Sequence, residues 1–256
     1  MICSPSNSGF SLEYNESQTE STILWQRHCH AQYELISVVE GDVNIMLEGS
    51  SYRLKDNQTI LIPPFSYHAV TTNEAGLYRR ITALFDLSTV PEVLQKDFQR
   101  ICGDTVILAT PLMHKIKEVC TMERADYYGP LLDSLMIQFF YDVLRTAPKA
   151  ITVEKDDFLQ KTVSYIDLHI HEKILLSDLA ANASRSKSSF CHLFKEKMKV
   201  SPKQYILEKK LALAEKYIAE GVPATIAAAS VGYDNYSNFY RVYRKYAQNP
   251  SDTQEA

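Results

Sequence analysis

Residues 229–246 read ASVGYDNYSNFYRVYRKY, and this stretch is the clearest structural signal in the chain. Gly232 suits a tight turn because glycine accepts a positive φ after a helix, and Asp234 can cap the helix that follows. That helix places Phe239 and Tyr243 one turn apart on a buried face and leaves polar and basic side chains on the other. The stretch therefore predicts a helix, a turn and a second helix.

An earlier segment, residues 175–195, follows the same plan. Ala180 stands where a second helix must cross closely, since a larger side chain would push the two helices apart. Ser186 can cap the next helix, which buries Phe190 and Phe194 at positions i and i+4. Two such copies are stronger evidence for paired helix-turn-helix units than one, although an ordinary helical domain that binds protein remains the alternative.

A connecting helix is predicted between the two units, beginning at Ser201 as its cap and Pro202 as its first residue. With this helix in place, the segment from about Phe158 to Pro250 resembles the AraC/XylS family of bacterial transcriptional regulators. The resemblance departs from the family at Lys199, where glycine is usual, and at Lys210, where arginine is common. It implies sequence-specific binding of double-stranded promoter or operator DNA.

The resemblance also assigns DNA-facing positions in both recognition helices. Arg241 is expected to contact guanine, because its guanidinium matches the O6 and N7 acceptors, whereas Lys195 and Arg244 are expected at phosphates. Cys191 and His192 have partial burial against a neighbouring helix as an alternative. The full set is Lys187, Ser188, Cys191, His192 and Lys195 in the first helix, and Tyr236, Ser237, Tyr240, Arg241 and Arg244 in the second.

Charge is unevenly distributed along the 256 residues, whose formal net charge is −4. The first 154 residues carry a balance of −7 and the remaining 102 a balance of +3. Binding to duplex DNA depends on the local field of the docking face, so the C-terminal part is the predicted DNA-binding side.

The N-terminal part has the pattern of short strands separated by turns. Strands are predicted over residues 33–39, 43–47, 52–54, 59–62 and 78–85, because these segments are rich in β-branched residues and end at turn signals. This spacing indicates a barrel or sandwich.

His28-Cys29-His30, followed by Glu34 and Gly41, fits the first motif of the cupin barrels. A second motif, with Asn57 and Phe65 at positions where glycine is usual, ends at His68. Sensor domains of the resembled family have a similar barrel. A pocket for a small polar effector is therefore predicted, with no metal and no cofactor, and the effector is expected to modulate DNA binding. The alternative is a metal-dependent cupin enzyme fused to a degenerate DNA-binding domain. The predicted ligand-binding residues are His28, His30, Glu34 and His68.

Apolar residues recur at helical spacing between residues 111 and 146. They predict a helical pair that covers the barrel, and the wide stripe of its second helix favours homodimerisation. The predicted organisation is a cupin-like ligand-sensing barrel at 1–110, this pair at 111–146, a linker at 147–157 and the DNA-binding domain at 158–256.

The predicted fold class is α+β, with an N-terminal β-barrel, flanking helices and an all-α C-terminal domain. No catalytic constellation occurs outside the cupin motif, so an enzyme is not expected. The five cysteines form no CxxC pair, which fits the cytoplasm, and no apolar run is long enough to span a membrane. RNA polymerase is an expected partner of such a regulator.

Overall fold

The computed structural model describes residues 2–3, 10–19, 27–103, 106–109, 115–116, 118–119, 128–146 and 156–248. The N-terminal part forms two antiparallel sheets. The larger has the strand order β1-β2-β8-β3-β6-β9 and the smaller the order β5-β4-β7. The strands are β1 (Ile2–Cys3), β2 (Phe10–Thr19), β3 (Tyr33–Glu40), β4 (Val43–Leu47), β5 (Ser50–Leu54), β6 (Gln58–Ile62), β7 (His68–Thr72), β8 (Gly76–Phe85) and β9 (Val106–Ala109).

One apolar core fills the space between the two sheets. Ile36 and Ile60 of the larger sheet pack in the same cluster as Val43 and Ile45 of the smaller one, and all four side chains are buried. In β4 the buried positions alternate with half-buried ones, because successive side chains of a strand point to opposite faces. The five predicted strands are therefore confirmed.

A second core covers the outer face of the larger sheet. Helices α1 (Glu92–Ile101) and α2 (Tyr128–Thr146) bring Phe98 and Phe140 against Tyr33 and Phe85. The wide apolar stripe of α2, from which the sequence analysis predicted dimerisation, is buried in this core within the chain. That reason for a dimer interface was wrong, because the sheet already covers the stripe. The buried stripe comprises Leu132, Leu135, Met136, Phe139, Phe140 and Val143.

Six helices follow, and Asp156 caps the first by accepting a hydrogen bond from the backbone N–H of Leu159. The last two residues of the predicted linker, Asp156 and Asp157, therefore belong to the start of this helix, and residues 147–155 lie outside the described residues. The helices are α3 (Asp157–Leu168), α4 (Leu176–Asn182), α5 (Lys187–Met198), α6 (Pro202–Ala219), α7 (Ala224–Ser230) and α8 (Tyr236–Gln248). Within the described part of the chain, no helix combines the length and the apolar character needed to cross a membrane.

Three residues that replace a usual glycine of the resembled motifs adopt the backbone conformation that glycine favours. Asn57, Phe65 and Lys199 have φ values of 64°, 60° and 58°. Lys199 ends α5 in the left-handed conformation. The motif backbones are thus retained at a conformational cost that glycine would not incur.

Candidate DNA-reading surface and effector site

Helix α5 is the recognition helix of the first unit, and Ser186 caps it by accepting from the N–H of Ser189 at 3.3 Å. Its buried face carries Phe190 and Phe194, both fully inaccessible to solvent. Ala180 of α4 is buried at the crossing, as predicted. Four of the five predicted DNA-facing residues are exposed, namely Lys187, Ser188, His192 and Lys195, whereas Cys191 is half-buried.

Helix α8 is the recognition helix of the second unit. Phe239 is fully buried and its ring stacks on Tyr243, with centroids 5.3 Å apart. Asn235 caps this helix by accepting from the N–H of Asn238 at 3.0 Å. The prediction of Asp234 as the cap was wrong by one residue, because α8 begins at Tyr236 and the cap directly precedes it. The predicted DNA-facing residues Tyr236, Ser237, Tyr240, Arg241 and Arg244 are all exposed.

Asn238 has a role that the sequence reasoning missed. Its Oδ1 accepts a hydrogen bond from Nη2 of Arg241 at 3.0 Å, so it holds the guanidinium near the surface of the helix. The spacing of the two residues could have revealed this contact, because side chains at positions i and i+3 of one helix are neighbours.

Lys210 of α6 fixes the second unit to the first. Its buried ammonium donates to the carbonyl oxygens of Ile170, Glu172 and Val231, at 2.8, 2.6 and 2.5 Å. Burial lowers the pKa of Lys210 to about 8. Gly232 lies in the same turn at a φ of 77°, and a Cβ there would stand only 2.8 Å from the carbonyl of Glu172.

The four predicted ligand-binding residues converge at one end of the sheet pair. His28 and His68 form an isolated antiparallel bridge, which brings the start of the motif beside the first residue of β7. One ligand atom each of His28, His30, Glu34 and His68 can be chosen so that all four lie within 4.8 Å of one another. Nε2 of His30 and Nε2 of His68 lie 2.9 and 2.7 Å from the same oxygen, Oε2 of Glu34.

The electrostatics of this cluster centre on a buried carboxylate. Burial alone would raise the pKa of Glu34, but His68 and His30 hold that pKa well below its ordinary value. Burial would likewise lower the pKa of His68, whereas the Glu34 carboxylate raises it. The site therefore favours the ionised carboxylate of Glu34 and the positively charged form of His68.

The cluster lies directly against the DNA-binding helices. Cys29, between the two motif histidines, is buried in one apolar cluster with Tyr67 and with Tyr205 of α6. The hydroxyl of Tyr246 in α8 donates to the carbonyl oxygen of Cys29 at 3.4 Å. The loop that holds the histidines is thus in contact with both α6 and the second recognition helix.

A polar network around the half-buried Glu48 joins the two halves of the chain beside this cluster. Glu48, in the turn after β4, accepts from the Tyr205 hydroxyl at 2.7 Å and from the Tyr67 N–H at 2.8 Å. Lys209 is only 3% exposed and donates to Asp167 at 2.5 Å. Burial would lower the pKa of Lys209, but the negative charges of Glu48 and Asp167 raise it. These two carboxylates therefore stabilise the charged ammonium.

A cavity of about 560 Å³ opens at the same junction. Its walls come from the strand-rich half and from helices α3 and α6, so a molecule inside it would contact both. The apolar wall includes Leu47, Tyr52, Phe65, Leu159, Val163 and Leu213, and the polar wall includes Glu48, Asp167 and Lys209.

Comparison with known proteins agrees with this two-part architecture. Residues 13–121 match the family model of the AraC-like ligand binding domain, and residues 179–256 match that of a helix-turn-helix domain. The chain is 26% identical over 234 residues to the probable transcriptional regulator LumQ of Photobacterium leiognathi, which covers 88% of this chain and 90% of that protein. It is 21% identical over 225 residues to the uncharacterized HTH-type transcriptional regulator YobQ of Bacillus subtilis, over 88% and 86% of the two chains.

Among solved structures, ToxT from Vibrio cholerae O395 aligns with a TM-score of 0.44 at 12% identity, over 93% of this chain and 94% of that one. The match to the ligand-binding domain falls on the strand-rich part of the chain, and the match to the helix-turn-helix domain falls on the helical part that follows it. The chain belongs to the AraC family of DNA-binding transcriptional regulators, with an N-terminal ligand-binding domain.

Proposed function

We propose that helices α5 and α8 read successive major grooves of an operator, and that the effector acts from the cluster of His28, His30, Glu34 and His68. The observation that supports the first part is the repeated construction of the two helices. Each has an exposed polar face opposite an aromatic pair, which is fully buried in α5 and consists of buried Phe239 and half-buried Tyr243 in α8. Bidentate and basic side chains on such a face suit base edges and phosphates.

The first experiment is selection of genomic DNA fragments by the purified full-length chain at physiological salt, followed by sequencing. Two conserved blocks about one helical turn apart are expected, because one chain presents two recognition helices. Weak, salt-sensitive binding without an enriched motif would contradict the proposal, since that behaviour reflects phosphate contacts alone.

Replacing Arg241 by alanine is expected to weaken binding to the selected operator by about 1–3 kcal/mol and to relax the preference at one base pair. The reason is the loss of a guanidinium that Asn238 holds at the helix surface. Fluorescence anisotropy on the operator and on its single-base variants measures both effects.

Arg244→Ala is the matched control, because this exposed arginine lies on the same helix and is proposed to contact phosphate. It should weaken binding to all sequences alike and make the salt dependence shallower. If Arg241→Ala behaves in the same uniform way, its assignment to a base is wrong.

The effector acts only through different affinities for two arrangements of the chain, one with high and one with low affinity for DNA. Contacts from the cluster loop to α6 and α8 supply a physical route, because moving Cys29 or Tyr67 disturbs Tyr205 and Tyr246. A cytoplasmic location and contact with RNA polymerase follow from the proposed role at promoters. Catalysis is not part of the proposal, because every named relative reported above is a regulator.

A homodimer is also proposed, through the solvent face of α2 in place of its buried stripe. Ile137 and Tyr141 lie one turn apart on this face and are 52% and 60% exposed. Tyr141→Glu is expected to shift the chain from dimer to monomer, measured by size-exclusion chromatography with light scattering. Glu74→Gln, an exposed change in the turn between β7 and β8, is the control. A wild-type chain that stays monomeric at tens of micromolar would contradict the dimer.

A further inference from the structure

The two motif histidines that approach Glu34 have their ring orientation fixed by the backbone. Nδ1 of His30 lies 3.0 Å from the carbonyl oxygen of Gln32, and Nδ1 of His68 lies 2.8 Å from that of Ser66. A carbonyl oxygen only accepts hydrogen bonds, so both Nδ1 atoms must carry hydrogen and donate. In the neutral ring the lone pair then resides on Nε2, which is the atom that faces the carboxylate.

Two imidazole nitrogens thus point at one carboxylate oxygen. Nε2 of His68 is fully buried and has no hydrogen-bond partner of acceptable geometry, although Oε2 of Glu34 is only 2.7 Å away. At this distance the nitrogen and the oxygen repel each other unless the ring is protonated or a metal cation lies between them, so the cluster attracts either a proton or a metal ion. His28 adds a third ring, whose centroid is 4.4 Å from that of His68.

We propose that His28, His30, Glu34 and His68 bind one divalent first-row transition-metal ion, and that its binding changes the contact between the cluster loop and helices α6 and α8. Three imidazoles and one carboxylate form a donor set that suits zinc, iron, nickel or copper. The donation of both Nδ1 hydrogens to backbone carbonyls is the outer-shell arrangement that orients metal-binding histidines. This departs from the sequence-based expectation that no metal binds.

The dimensions of the cluster fit such an ion after small rotations. Ligands at about 2.0–2.2 Å from zinc lie roughly 3–4 Å apart, and the four candidate atoms lie within 4.8 Å of one another. His28 and His30 are half-buried, so an ion has a route from solvent, whereas Glu34 and His68 are buried and preorganised.

The regulatory part of this inference rests on the proposed function as a DNA-binding regulator. Ion binding must move Nε2 of His30 away from Oε2 of Glu34, because two ligands of one ion lie farther apart than the present 2.9 Å, and Cys29 directly precedes His30 in the chain. The carbonyl oxygen of Cys29 accepts the hydrogen bond from Tyr246 of α8, so the movement reaches the second recognition helix directly. Metal occupancy is therefore expected to change operator affinity.

The test uses the full-length chain, stripped with a chelator and dialysed. Zn²⁺ is titrated by isothermal calorimetry, and Co²⁺ is added separately because its visible absorption reports the ligand set. One equivalent per chain is expected, with at least a 10-fold loss of affinity in His30→Gln. His169→Gln is the matched control, because this half-buried histidine belongs to the DNA-binding half and lies far along the chain from the cluster. Circular dichroism verifies that each variant is folded.

Operator affinity is then measured with and without one equivalent of Zn²⁺. A change of several-fold in the wild type, absent in His30→Gln, supports the whole inference. Absence of stoichiometric metal, or equal binding by His30→Gln and the wild type, would overturn the metal site. Stoichiometric metal with unchanged operator affinity would overturn the coupling alone. Failure of DNA binding in every state would overturn the proposed function, while the titration still decides the metal site.

Discussion

Lys209→Met is expected to reduce the free energy of unfolding by about 3–4 kcal/mol, the lower part of the usual cost of removing one partner from a buried charge network, because Asp167 is half exposed. The substitution preserves the apolar stem of Lys209 but removes the ammonium that donates to Asp167 and Tyr205 and whose charge favours the carboxylate form of Glu48. Burial already raises the pKa of Glu48, and Lys209 is the group that opposes this rise most strongly. Urea unfolding at neutral pH, followed by circular dichroism, measures the loss.

A second substitution makes this prediction specific. Glu48→Gln in the Lys209→Met background should recover a large part of the loss, because a neutral amide needs no cation. Its oxygen can accept from the Tyr67 N–H while its NH2 group donates to the Tyr205 hydroxyl. Lys216→Met on the same helix is the control and should change stability little, since its pairing with Glu220 is exposed. If the double variant is no more stable than Lys209→Met alone, the loss does not arise from the unpaired Glu48.

Lys210→Met is expected to have the second-largest effect, a loss of about 3 kcal/mol. The substitution leaves the carbonyl oxygens of Ile170, Glu172 and Val231 without the donor that they share. Because these carbonyls belong to the segment after α3 and to the turn after α7, the second unit should also lose its fixed position. Operator affinity is then expected to fall together with the thermal unfolding temperature.

Lys210→Arg separates the loss of the donor from the loss of side-chain volume. A guanidinium also donates to several carbonyls, and arginine is common at this position in the family that the sequence resembles. We expect Lys210→Arg to retain most of the stability and operator affinity. Equal losses in the methionine and arginine variants would show that the carbonyl contacts are not the cause.

The adjacent residues Lys209 and Lys210 tie helix α6 to different parts of the chain. Lys209 lies at the junction with the strand-rich half, whereas Lys210 is bound to the turn of the second helix-turn-helix unit. Helix α6 therefore contacts the effector domain and positions α8 at the same time. Neither lysine entered the predicted site, because a single sequence shows no reason for a lysine to be buried.

Much of the secondary structure could be predicted because its signals are local. Alternating burial in β4 and the caps Ser186 and Ser201 depend on residues within a few positions of one another. Strand β2 was missed because its segment FSLEYNESQT is largely polar, and its strand conformation comes from pairing with β8 along its whole length. Propensity alone does not reveal that pairing.

The sequence by itself determined the family, the two recognition helices and the identity of the four residues in the cluster. Tertiary structure decided what surrounds them. His68 reaches Glu34 through the register of β7 and its bridge to His28, and Glu48 meets Tyr205 across 157 positions of the chain. The α2 stripe proved to be core because the larger sheet lies against it. Periodicity specifies which face of an element is apolar, but only the packed fold specifies which surface covers that face.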